Sequence, residues 1–147
     1  MENAKKQLKT YSIVVLLLAA LSLVRSLVNI FTTDYSSINV DGAEEVLNVA
    51  LVIAAVISFV VLLPQIFVGY RGLKVSSNPD SKGGYIVWAW ILLIIAVIGV
   101  ISGICSIASS KDMLDTILGI VDAGLDVVIF FFVIKYAKIV QKGAKNA

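Results

Sequence analysis

The sequence predicts an all-α integral membrane protein, a four-helix antiparallel bundle with both termini on the cytoplasmic side. Three observations carry that prediction. The chain is 59% hydrophobic and 15% charged with a mean hydropathy of +0.98, whereas about a quarter of the residues in a soluble domain are charged. Four apolar runs, residues 11–32, 46–70, 85–109 and 116–134, each approach the roughly 20 residues that cross a hydrocarbon core about 30 Å thick. No stretch alternates apolar with polar residues, so helices are the spanning solution that leaves no backbone group unpaired in lipid. Four such helices use up the 147 residues, which makes one domain and leaves no soluble module.

The orientation follows from sorting charge by loop. Lys5, Lys6 and Lys9 precede the first run, Arg71, Lys74 and Lys82 fall between the second and third, and Lys135, Lys138, Lys142 and Lys145 close the chain. The segment after the first run holds Asp34, Asp41, Glu44 and Glu45 with no basic residue, and Lys111 alone follows the third. The positive-inside rule therefore places both termini in the cytoplasm of a bacterial-type cytoplasmic membrane. The lysines read as interfacial anchors rather than a nucleic-acid surface. The partners to expect are the lipid bilayer and a second copy or another membrane subunit.

The first run resembles a secretory signal, with Lys5, Lys6 and Lys9 ahead of it and Ala19-Ala20-Leu21-Ser22 inside it. It continues well past the usual 7 to 15 apolar residues, so it is expected to remain as a helix. Its second half turns polar on one face, where Ser22, Arg25, Ser26, Asn29 and Thr33 recur at three- and four-residue steps. That face must point into the bundle, where hydroxyls and amides bond between helices. Glu44 and Glu45 open the second helix, where negative charge complements the helix dipole. Pro64 should kink that helix, and Gly72 or the Asn78-Pro79-Asp80 turn should end its extension. The glycines that follow, Gly83 and Gly84, lack the spacing of a phosphate-binding loop.

The third helix enters through Tyr85, Trp88 and Trp90, which with Tyr11, Tyr70 and Tyr136 are expected to form an aromatic belt at the inner interface. Further along, Gly99-xxx-Gly103 and Ser102-xxx-Ser106 allow a neighbouring backbone close. Gly119-xxx-Ala123 on the fourth helix is the expected mate. Cys105 is the single cysteine and histidine is absent, so neither a disulfide nor zinc or haem ligation is expected, and no cofactor.

The fourth helix carries the sharpest signal. Asp115, Asp122 and Asp126 are seven and four residues apart and so lie in one stripe. Carboxylates within the membrane are costly and mark functional sites. Counting about 1.5 Å per residue from the outer surface sets Arg25 and Asp122 level with each other, with Asp126 one turn deeper near the midplane. Arg25 is the natural partner of Asp122. Asp126 is left to be neutral, bonded to a hydroxyl such as that of Ser102, or occupied by a cation. The outer half thus reads as a polar vestibule, closed on the inner side by apolar residues that include Phe130, Phe131 and Phe132.

Two readings follow. In one, the chain is a transporter or channel-like subunit in which Asp126 and Asp122 handle a proton or small cation and Arg25 sets the resting charge. In the other, it is a non-catalytic scaffold or accessory subunit whose Arg25 and Asp122 fix helix register. An enzyme is not expected, since no nucleophile is set beside a base and no metal cluster is visible. In length and helix number the chain resembles small multidrug transporters and membrane-bound glutathione-type enzymes. Its first helix lacks the membrane-embedded glutamate of the first group and the Arg and Glu signature of the second is missing, so no family is assigned.

Overall fold

A computed structural model describes residues 1–32, 43–79, 82–109 and 113–146, and within these it leaves the side chains of residues 29, 43–47 and 54 undescribed. The described residues form four helices and no strand: α1 (Glu2–Thr32), α2 (Ala43–Ser77), α3 (Gly84–Ser106) and α4 (Met113–Lys145). All four are long and apolar enough to cross a membrane. The acidic loop with Asp34 and Asp41, the Asp80 part of the inner turn and Lys111 lie outside the described residues.

Three helices run longer than their apolar segments. α1 begins nine residues before Tyr11, α2 continues seven past Tyr70, and α4 continues eleven past Ile134. At about 1.5 Å per residue these extensions add roughly 10–16 Å beyond the expected span. They persist because each keeps its own buried positions: Ala4 and Leu8 on α1, Val75 on α2, and Ala137 and Val140 on α4. α2 does not stop at Gly72. It runs on to Ser77 and ends ahead of Asn78-Pro79, since a residue before proline is pushed out of the helical region. The hydroxyls of Ser76 and Ser77 donate to the Leu73 carbonyl (2.7 and 3.4 Å) and satisfy it in the last turn. α2 also passes through Pro64 as one helix.

α1 packs most extensively against α2, and α3 against α4; α4 also lies along α1 and α3 along α2. α2 and α4 barely touch, and α1 meets α3 nowhere among the described residues, which is the pattern of a ring of four. The core gathers at one end of that ring. It joins Leu8 and Val15 of α1, Val68 and Val75 of α2, Tyr85, Ala89 and Leu92 of α3, and Phe130, Val133, Ala137 and Val140 of α4. Toward the other end no described side chain is buried beyond Ala19 on α1, before Leu62 on α2, beyond Ala96 on α3 or before Phe130 on α4. We call these the packed end and the open end.

The tightest approach in the packed end is between α1 and α2. A side chain on Gly72 would collide with Ser12 Oγ, and one on Gly69 would lie 2.8 Å from Leu16 Cγ. Both glycines are there because α1 occupies the space. Ser12 is fully buried in this contact, and its hydroxyl finds no hydrogen-bond partner. The expected aromatic belt is split by burial. Trp88, Trp90 and Tyr70 are exposed, whereas Tyr85 is buried in the core. Tyr11 stacks on Phe132 (5.1 Å between ring centroids) and on Tyr136 (5.8 Å), joining α1 to α4, and Lys138 Nζ lies 5.1 Å from the Trp90 ring. Of the three phenylalanines read as an inner plug, Phe130 is buried and Phe131 faces outward.

Candidate functional site

The site begins with one stripe of α4. Val133, Ala137 and Val140 are spaced by four and three residues and are fully buried. Continuing the stripe toward the open end by seven, four and seven residues reaches Asp126, Asp122 and Asp115. One face of the helix is therefore aliphatic where the ring is packed and acidic where it is open. α1 behaves in the same way: its buried positions Ala4, Leu8, Ser12, Val15 and Ala19 continue as Ser22 and Ser26. Asn29 falls on the same stripe, but its side chain lies outside the described residues.

Arg25 and Asp122 meet across these two helices. Arg25 Nη1 donates to Asp122 Oδ2 at 3.4 Å, a single contact rather than a two-point fork. The two side chains are 58% and 54% exposed, so the protein itself does not enclose the pair. One turn toward the packed end, Asp126 is half-buried and has no hydrogen-bond or ion-pair partner among the described residues. A recess of about 90 Å³ lies between α1 and α4, lined by Leu18, Leu21, Ser22, Arg25, Asp122 and Asp126.

The other candidate residues divide. Ser26 lies on the same α1 face as Ser22 without reaching the recess, and Ser102 on α3 is exposed and outside it. No hydrogen bond joins Ser102 to Asp126; the Ser102 carbonyl accepts instead from the Ser106 hydroxyl at 2.8 Å, a bond within α3. Gly99 and Gly103 do sit against α4: a Cβ on Gly99 would lie 3.5 Å from Ala123 Cβ, and one on Gly103 would lie 2.5 Å from Ile120 Cγ1. Gly119 needs correcting as a packing residue. A Cβ there would meet nothing within 4 Å, and Ile120 takes its place in the contact.

Sequence reasoning passed over Leu18 and Leu21, which give the recess its apolar wall, and Gly69, which with Gly72 admits α1. The glycine pair had only a weak signal, two small residues one helical turn apart where the apolar run ends. The leucines had none, because their role depends on which helix lies alongside. Among the described residues no three His, Cys, Asp or Glu side chains converge as metal ligands would. What the arrangement can do chemically is hold one positive charge beside Asp126, or pass a proton through that carboxyl, next to an ion pair of no net charge. No family model, curated protein or solved structure matches this chain.

Proposed function

We propose that the protein is a small transporter or channel-like subunit that handles a proton or small cation through an outward-facing polar vestibule. In this reading the four helices alternate in direction, both termini are cytoplasmic, and the packed end is the cytoplasmic end of a bacterial-type membrane. Ten of the twelve basic residues fall in the three segments assigned to that side, which supports the orientation. A reporter fused to the C-terminus should be active only in the cytoplasm. Activity on the outer side would reverse the vestibule.

The observation that carries the function is the change along α4 from buried Val133, Ala137 and Val140 to partly exposed Asp126 and Asp122 on one stripe. A scaffold helix has a use for Asp122, which pairs with Arg25, but gains nothing from an unpaired Asp126 at membrane depth, where an acidic residue costs about 2.5–3.5 kcal/mol on insertion scales. Asp126 is the residue assigned to the transported charge, because Asp122 is already engaged by Arg25. The test is Asp126→Asn, which keeps size and hydrogen bonding but removes charge and titration. Proton or cation flux in liposomes should fall at least tenfold while the melting temperature in detergent holds. Unchanged flux removes Asp126 from the mechanism.

The 3.4 Å contact between Arg25 and Asp122 favours a second reading, in which the pair fixes the register of α1 against α4 in an accessory subunit. A discrete protein that co-purifies at fixed stoichiometry, and is lost from Arg25→Ala, would support that reading over transport.

A further inference from the structure

The recess between α1 and α4 has walls of two kinds. Leu18 and Leu21 supply an aliphatic surface, while Ser22, Asp122 and Asp126 supply oxygen atoms beside the Arg25 guanidinium. Its charge selects for valence. Arg25 and Asp122 balance one another at 3.4 Å, so an ionised Asp126 leaves a single negative charge to be met. A divalent ion would overshoot and leave a surplus positive charge beside the Arg25 guanidinium, which repels it. The oxygen supply argues against bare metal ions as well. Calcium takes six to eight oxygen ligands and magnesium a near-ideal octahedron, and a dehydrated alkali ion needs a full ring of oxygens in place of its water. Here only Ser22, Asp122 and Asp126 bring side-chain oxygens to the lining, and Leu18, Leu21 and Arg25 bring none.

We infer that the recess takes a protonated alkylamine, its ammonium group on Asp126 and Ser22 and its alkyl chain against Leu18 and Leu21. Three donors on a compact cation suit a carboxylate and a hydroxyl, and an aliphatic stem gains from leaving water for the leucine wall. The inference rests on the transport reading and narrows it to an organic monovalent cation.

The test uses the full chain purified in detergent and measures ligand affinity by calorimetry at constant ionic strength. The probes are methylammonium, propylammonium and hexylammonium chloride, with sodium, potassium and calcium chloride for comparison. Affinity should rise about fourfold per added methylene until the recess is full, and the metal ions should not compete. Asp126→Asn should abolish binding of all three amines. Leu18→Ala should flatten the dependence on chain length, and an unchanged melting temperature separates loss of the apolar wall from loss of fold. Amine binding that is equal in Asp126→Asn and the parent overturns the inference, as does equimolar competition by sodium or potassium. Flux in liposomes distinguishes the two levels of the argument. Asp126-dependent proton or sodium flux without amine binding overturns the amine and keeps transport, whereas absence of both overturns transport too. A co-purified subunit whose removal fails to restore amine binding also counts against a free amine.

Discussion

The two ends of this bundle are made from the same four helices and differ in almost every packing property. At the packed end Leu8, Val15, Val68, Val75, Val133, Ala137 and Val140 are essentially inaccessible, and α1 rides on the bare backbone of Gly69 and Gly72. At the open end the same faces carry Ser22, Ser26, Asp122 and Asp126, and the charged pair is more than half exposed. The contrast shows that on α1 and α4 close packing and polar side chains occupy opposite ends of the same helix. Close packing in lipid relies on shape, since the bilayer supplies no hydrophobic drive between helices. Polar side chains interrupt that shape, so the end that carries them is loosely packed unless water, a ligand or a partner fills it.

The largest effect that tests this contrast should come from two neighbouring phenylalanines. Phe130 is 3% exposed and Phe131 is 53% exposed, one residue apart on α4. Phe130→Ala should destabilise the protein in detergent by about 3 kcal/mol, the low end for a core Phe→Ala cavity, because lipid or detergent cannot refill the space. Phe131→Ala should stay within about 0.5 kcal/mol, since it changes only what the surrounding chains touch. Equal losses at the two positions would mean that the packed end is not packed as described.

Much of this architecture was legible in the sequence, and the parts that were not have definite physical reasons. The number of helices follows from apolar runs that nothing but a membrane would tolerate. The meeting of Arg25 with Asp122 needed only the helical rise per residue and a common starting surface. The helices extend past the apolar runs because Glu2–Thr10 and Lys135–Lys145 interleave lysines with their buried positions, such as Leu8 and Val140, which barely raise the local hydropathy. Of the two stops open to α2, Asn78-Pro79 is where the helix ends; Gly72 also fitted a stop because a glycine near the end of an apolar run often is one, and the Ser12 it admits lies sixty residues earlier in the chain. Tyr85 was grouped with the interfacial aromatics for the same reason, since which face of α3 it occupies depends on where α2 and α4 stand.

A smaller effect separates a glycine inside the α3–α4 contact from one outside it. Gly103→Leu should cost about 1–3 kcal/mol, the usual range for overpacking, because Ile120 already occupies the space a side chain would need. Gly119→Leu should be neutral within about 0.5 kcal/mol in the monomer, since its surroundings are open. Melting curves of the two variants, compared with their elution by size, give the result. If Gly119→Leu instead abolishes an oligomer that the parent forms, the open face of α4 is where a second copy sits.

The smallest effect is the most informative about what fills the open end. Arg25→Ala, Asp122→Ala and the double variant form a cycle whose coupling energy isolates the pair. A vestibule filled with water makes this an exposed ion pair, and the coupling should be about 0.5–1 kcal/mol. It should also shrink between 0.15 M and 1 M salt, as the screening length contracts from about 8 Å to about 3 Å. Lipid or a tightly docked subunit over the same residues would exclude water. Removing one partner would then leave an uncompensated charge, and the loss on single substitution would climb to about 3–5 kcal/mol with little response to salt. The single contact at 3.4 Å and the exposure of both side chains place the expectation on the small, salt-sensitive side. A large salt-independent coupling, measured in liposomes where the bilayer is intact, would show that the open end is covered and would move the weight of the argument to the accessory reading.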